Sequence, residues 1–164
     1  MGSRGGRAGA VLLLVVLFGC VAWSAGAAEV KKSASVEESI RDCANSERRE
    51  RGMRTLKQDP ALDAAARYHA RHMLVQGFFD HKDPSGDGPV DRVKRFAKRR
   101  YVIIGENIAA GDFESTAAVC RAWMHRHSHR ANILRHSFTR IGGGYAAGGK
   151  YGNYYVQVFA DVPG

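Results

Sequence analysis

The apolar residues of this chain keep a helical spacing through most of its length and change to a strand spacing near the end, which leaves few architectures open. Ser35 with Glu38 reads as a capping box, and Val36, Ile40, Cys43 and Ala44 form one helical stripe stopped by Gly52. Asp59 is an N-cap with Pro60 at the first helical position, after which Leu62, Ala65, Ala66, His69 and Met73 recur every three or four residues up to Gly77. Pro89 opens a short helix with Val90, Val93 and Phe96 as its apolar face, and a longer helix covers about 114–126 with Val119, Ala122 and Trp123 inward. Residues 101–104 are a short strand ending at Gly105, which puts Glu106 and Asn107 in a loop, and residues 128–134 read as a turn into a short helix. In the tail, segments 138–147 and 154–160 are strand-like and flank a glycine-rich hairpin loop. Helices, one strand, more helix and a hairpin predict a single α+β domain with a small antiparallel sheet.

The first 28 residues stand apart from that domain. Arg4 and Arg7 form a basic start, residues 11–18 are an unbroken apolar run, and Ala25-Gly26-Ala27-Ala28 supplies the small residues at which a signal peptidase cuts. The run is too short to cross a bilayer, so the expected product is secreted or periplasmic, monomeric and without a transmembrane span. The rival is a cut at Leu17-Phe18-Gly19-Cys20, which loosely resembles a lipobox and would leave a lipid on Cys20, although Phe18 is bulky for such a motif. Residues 29–35 are expected to be a flexible N-terminus and 36–164 the folded domain. Removing the leader takes Cys20 away and leaves Cys43 and Cys120, an even pair in an oxidising compartment. One disulfide and two separate buried thiols both remain open on spacing alone.

Composition matters chiefly through charge. The 164 residues carry 25 Lys plus Arg against 16 Asp plus Glu, a formal +9, and loss of Arg4 and Arg7 lowers it only to +7. Basic residues cluster at Arg48, Arg49, Arg51, Arg54 and Lys57 and again at Lys94, Arg95, Lys98, Arg99 and Arg100. No aromatic residues interleave with them, so bases would find no stacking platform and nucleic acid is disfavoured as a partner. The runs read as solvated faces drawn to an anionic envelope polymer, lipid or small molecule.

Among residues able to carry chemistry, His81, Glu106 and His129 each sit at the edge of a predicted element. Two neutral imidazoles and a carboxylate can hold a divalent cation such as zinc while leaving a position open for water. There is no His-Glu-x-x-His, no Cys-x-x-Cys and no G-x-S-x-G elbow, and Gly142-Gly143-Gly144 precedes a strand rather than the helix that a phosphate loop requires. His125 and His127 read as solvated, and His69 as a hydrogen-bonded core histidine.

Taken in order, several motifs resemble one family. They are Asn45-Ser46-Glu47-Arg48, the alanine-rich helix 64–73, Phe78-Phe79-Asp80-His81, Gly105-Glu106-Asn107-Ile108-Ala109, Trp123-Met124, Ser128-His129-Arg130-Ala131-Asn132-Ile133-Leu134, Phe138-Thr139-Arg140-Ile141-Gly142 and residues 154–159. Together they resemble the CAP superfamily of cysteine-rich secretory, antigen 5 and pathogenesis-related proteins, also called the SCP domain, in its short bacterial form. The resemblance spans about residues 40–160. It implies an α-β-α sandwich with a small antiparallel sheet between helical layers, secretion, and a cleft whose tetrad of two His and two acids can hold a divalent cation. Position by position, His81, Glu106 and His129 match three of the four, while the second acid falls three positions after Trp123, where this chain has Arg126. Losing an anion and gaining a cation shifts the local balance by two charges against metal binding. The glycine usual before the second tetrad His is here Ser128. The function implied is that of an extracytoplasmic binding module with a cleft formed by His81, Glu106, His129 and Arg126. The alternative is a metal-dependent hydrolase of envelope or extracellular substrates, with Glu106 as the candidate general base.

Overall fold

The structure is a computed structural model that describes the backbone of residues 18–162, with side chains from Gly26 onward. Of the export signal read over 1–28, residues 1–17 lie outside the described residues, while Cys20 and the cut site at 25–28 fall on the backbone of the first helix. In chain order the elements are α1 (Phe18–Arg49), β1 (Lys57–Gln58), α2 (Pro60–Gln76), α3 (Pro89–Phe96), β2 (Ile104–Gly111), α4 (Thr116–His125), α5 (His127–Ile133), β3 (Arg140–Ala146) and β4 (Asn153–Ala160).

Local chemistry sets several of these boundaries. The Asp59 carboxylate accepts the Ala61 N–H at 3.0 Å and Pro60 opens α2. Gly77, at φ 66°, closes that helix by donating its N–H to the Met73 carbonyl. Helix α1, by contrast, starts well before Ser35, whose carbonyl accepts the Ser39 hydroxyl at 2.9 Å inside the helix. Residues 29–35, expected to be flexible, are helical, because neither proline nor glycine interrupts the chain between Gly26 and Gly52.

The sheet has strand order β1-β3-β4-β2, antiparallel over its three long strands and parallel where β1 meets β3. The sheet is therefore mixed rather than purely antiparallel. Two residues are too few to leave a periodic signal, and Lys57 and Gln58 are both exposed. Alternation along β4 divides the core. Tyr154, Val156, Val158 and Ala160 pack with Leu62, Ala66 and Met73 of α2 and Val93 of α3. Tyr155 and Phe159 pack with Ile40 and Ala44 of α1, Val119 and Trp123 of α4 and Ile133 of α5. The result is an α-β-α sandwich.

Strand β3 explains the glycine run. A Cβ on Gly142 would lie 2.2 Å from the Leu62 carbonyl carbon, and one on Gly144 would lie 2.2 Å from that of Ala66, so α2 rests directly on the strand backbone. Cys43 of α1 and Cys120 of α4 form a disulfide with a Cα–Cα distance of 6.0 Å.

Three further expectations are corrected. Glu106 and Asn107 lie inside β2 rather than in a loop after it, because β2 pairs with β4 along its whole length. Of the apolar face read on α3 only Val93 is buried; Val90 and Phe96 are exposed, and the second inward side chain is Arg92. Arg48, read as part of a solvated basic face, is buried. Its guanidinium donates to the carbonyls of Arg54, Ile133 and Arg135 at 2.8–2.9 Å, which fastens the end of α5 to α1.

Candidate functional site

Register places the acid. Glu106 stands opposite Val158 of β4, on the sheet face covered by α2 and α3, while its neighbour Asn107 stands opposite Gln157 on the other face. A buried carboxylate needs partners. Helix α3 supplies the strongest: Arg92 Nη2 donates to Glu106 Oε1 at 3.0 Å and Oε2 at 2.8 Å, with both side chains 1% exposed. The same guanidinium donates to the carbonyls of His81 at 2.8 Å and Asp87 at 2.9 Å, so α3 is clamped to the loop that carries His81. His81 Nδ1 then donates to Glu106 Oε1 at 2.8 Å. That hydrogen bond to a carboxylate raises the His81 pKa above its ordinary value. Beneath them His69 is fully buried and donates from Nε2 to the Asp80 carbonyl at 2.9 Å, and burial pushes its pKa down to about 4.

The opposite face is held by amides. Asn132 of α5 donates to the Glu106 carbonyl at 3.1 Å and to Asn107 Oδ1 at 2.9 Å. Asn107 donates to the His129 carbonyl and to Gln157 Oε1, each at 3.1 Å, and Gln157 donates to the Ile40 carbonyl at 2.9 Å. Trp123 Nε1 donates to the Ile108 carbonyl at 3.2 Å. Helices α4 and α5 are thus fixed against β2, an edge strand, by side chains that occupy some of its outward carbonyls.

Between the two layers a cleft of about 600 Å³ runs along that edge. Asp80 and His81 line it from the loop after α2, and Arg126 and His129 line it from the α4–α5 junction. Ile108, Ala109, Ala110 and Trp123 also line it, with Phe79, Phe113 and Ala122. The His129 pKa is lowered by burial and, secondarily, by the positive charges of His81 and Arg126. His129 Nδ1 is buried without a hydrogen-bond partner among the described residues.

Of the residues singled out from sequence, His81 and Glu106 are in direct contact, and His129 and Arg126 share the cleft with His81. His125 and His127 are exposed, and His69 is in the core, as expected. Arg92 was missed, although its place three residues after Pro89 and beside Val93 on α3 could have flagged it as inward-facing. In this arrangement Glu106 is not free to ligate a divalent cation directly. Both Glu106 oxygens are engaged by a guanidinium, His81 Nδ1 is spent on Glu106, and Arg126 adds a cation at the rim. Among the described residues no three His, Cys, Asp or Glu side chains converge to hold a metal ion.

Comparison with known proteins agrees with this fold. The model of the cysteine-rich secretory protein (CAP) family matches residues 41–159. A curated relative, the uncharacterized protein YkwD of Bacillus subtilis (strain 168), is 37% identical over 113 residues, which cover 69% of this chain but only 43% of that protein. The chain therefore spans less than half the length of the curated relative it matches. A crystal structure of an extracellular protein containing a SCP domain from Bacillus anthracis is similar with a TM-score of 0.70 and 27% identity, covering 79% of this chain and 41% of that one. An outer surface protein of Borrelia burgdorferi shares the fold, with a TM-score of 0.66 at 19% identity over 73% of this chain and 87% of that one.

Proposed function

This chain belongs to the cysteine-rich secretory protein family, and on that premise we propose that it is an exported binding module whose cleft takes an anionic ligand outside the cytoplasm without turning it over. One observation carries the reading. Glu106, the acid that would ligate a metal or act as general base, has both oxygens held by buried Arg92 and one also by His81. A carboxylate 1% exposed, with both oxygens turned to cationic donors inside the fold, is poorly placed to reach a substrate as a general base. The same contacts offset its charge, and the cleft lining carries the Arg126 guanidinium with Asp80 as its carboxylate.

Export is supported by the leader-like residues 1–28, by a disulfide that oxidising compartments favour, and by the description of the Bacillus anthracis structure as an extracellular protein. Among the described residues no helix is long and apolar enough to cross a membrane.

The test has two arms on the purified protein. Peptide, ester and peptidoglycan substrates are screened with and without a chelator; no turnover is expected, and turnover abolished by the chelator would establish the hydrolase instead. Co-sedimentation with purified peptidoglycan sacculi carrying anionic polymer is expected to fall steeply as salt rises from about 50 to about 500 mM, because screening shortens the reach of charge to below about 10 Å. Sedimentation that is absent at low salt would remove the anionic partner.

A further inference from the structure

We propose that the cleft along β2 binds a carboxylate carried on a compact ring, with the Arg126 guanidinium taking the carboxylate. The inference rests on the binding-module reading and deepens it to a ligand class. Arg126 caps the end of α4 and the start of α5 with extended backbone, φ −102° and ψ 124°. Its N–H donates to the Trp123 carbonyl and its own carbonyl accepts from Arg130, so its backbone is committed. Its side chain is exposed and makes no hydrogen bond or ion pair among the described residues, although it lines the cleft. A guanidinium offers two parallel N–H donors whose spacing matches a carboxylate.

The other polar groups of the lining favour an anion or stand aside. His129 brings a buried Nδ1 that has no partner among the described residues, able to donate in one tautomer. His81 directs Nδ1 at Glu106. Asp80 is the one carboxylate among the described residues of the lining, and its Oδ1 already accepts the Lys82 N–H at 2.9 Å. Beyond these groups the walls are apolar. Ala109, Ala110 and Ala122 are too small to fill the space they border, and the rings of Phe79 and Phe113 line the same space. The volume, about 600 Å³, suits a small molecule or one sugar unit of a polymer rather than a folded partner.

Calorimetric titration with benzoate and glucuronate tests this, with benzamide as the uncharged match to benzoate and inorganic phosphate as a bare anion. One benzoate or glucuronate per chain is expected to bind, with benzamide and phosphate at least about tenfold weaker. Arg126→Gln should weaken the carboxylates at least about tenfold with an unchanged melting temperature, since its side chain supports nothing else. Phosphate binding as tightly as benzoate would overturn the ring, and Arg126→Gln binding like wild type would overturn the arginine. One zinc ion bound per wild-type chain and lost in His129→Ala would overturn the anion site altogether. If neither carboxylate binds while sacculi still capture the protein in a salt-sensitive way, this inference fails and the module reading stands. If both fail, the module reading falls too.

Discussion

Arg92 is where the account of the site can be broken most cleanly. Replacing it with Met keeps much of the side-chain volume but leaves Glu106 buried, 1% exposed, with only His81 as a side-chain donor. A unit charge pair at 2.8 Å attracts by about 6 kcal/mol at an effective dielectric constant of about 20, before desolvation is subtracted. Breaking such a pair by removing one member costs about 3–5 kcal/mol. For a domain of this size that is a fall in melting temperature of about 10–20 °C. Glu106→Gln alone should also destabilise, because it strands the guanidinium. The double variant Arg92→Met/Glu106→Gln should recover at least half the loss, since no unpaired charge then remains. Urea unfolding of the four proteins of this cycle is the assay. An Arg92→Met variant within about 1 kcal/mol of wild type, or a double variant no more stable than that single one, would refute the claim that the guanidinium neutralises this carboxylate.

Other expectations follow from the same contacts. Gly144→Ala drives a Cβ to 2.2 Å from the Ala66 carbonyl carbon and should cost at least about 2–3 kcal/mol, whereas Gly88→Ala, whose nearest neighbour would be 3.8 Å away, should stay within about 0.5 kcal/mol; equal urea midpoints would contradict the packing. The Cys43–Cys120 disulfide closes a separation of 77 residues, worth about 4–5 kcal/mol by chain entropy, so dithiothreitol should lower the midpoint of wild type but not of a Cys43→Ser/Cys120→Ser protein. His69 binds protons less readily folded than unfolded, being pushed from 6.5 to about 4 by burial. Its contribution is therefore full above about pH 6.5 and is lost as pH falls toward 4, up to about 3 kcal/mol, and the pH dependence of stability should flatten in His69→Gln; an unchanged slope would count against it.

Much of this architecture is legible along the chain. Asp59, Pro60 and Gly77 bound α2 correctly because caps and φ preferences act within a few residues, and the alternation of residues 154–160 marks a buried strand for the same reason. The order of motifs around His81, Glu106 and His129 points to the family and its sandwich. The site is less legible. Gly142 and Gly144 look like a failed phosphate loop until α2 is seen lying on them. Arg48 looks like one of a solvated cluster, although it caps carbonyls 85 and 87 residues away.

Sequence alone determined most of the helices and the closing strand pair, the export-like leader, the pair of cysteines able to bridge and the cation Arg126 three positions after Trp123. Tertiary structure alone decided that Glu106 sits within an edge strand, that Arg92 holds both of its oxygens, and that Arg126 shares a cleft with His81 and His129. The division is physical. Backbone propensities and caps are settled by neighbours in the chain, whereas the partner of a buried charge is settled by packing of elements far apart in it, and desolvation makes that partner decide what the charge can do.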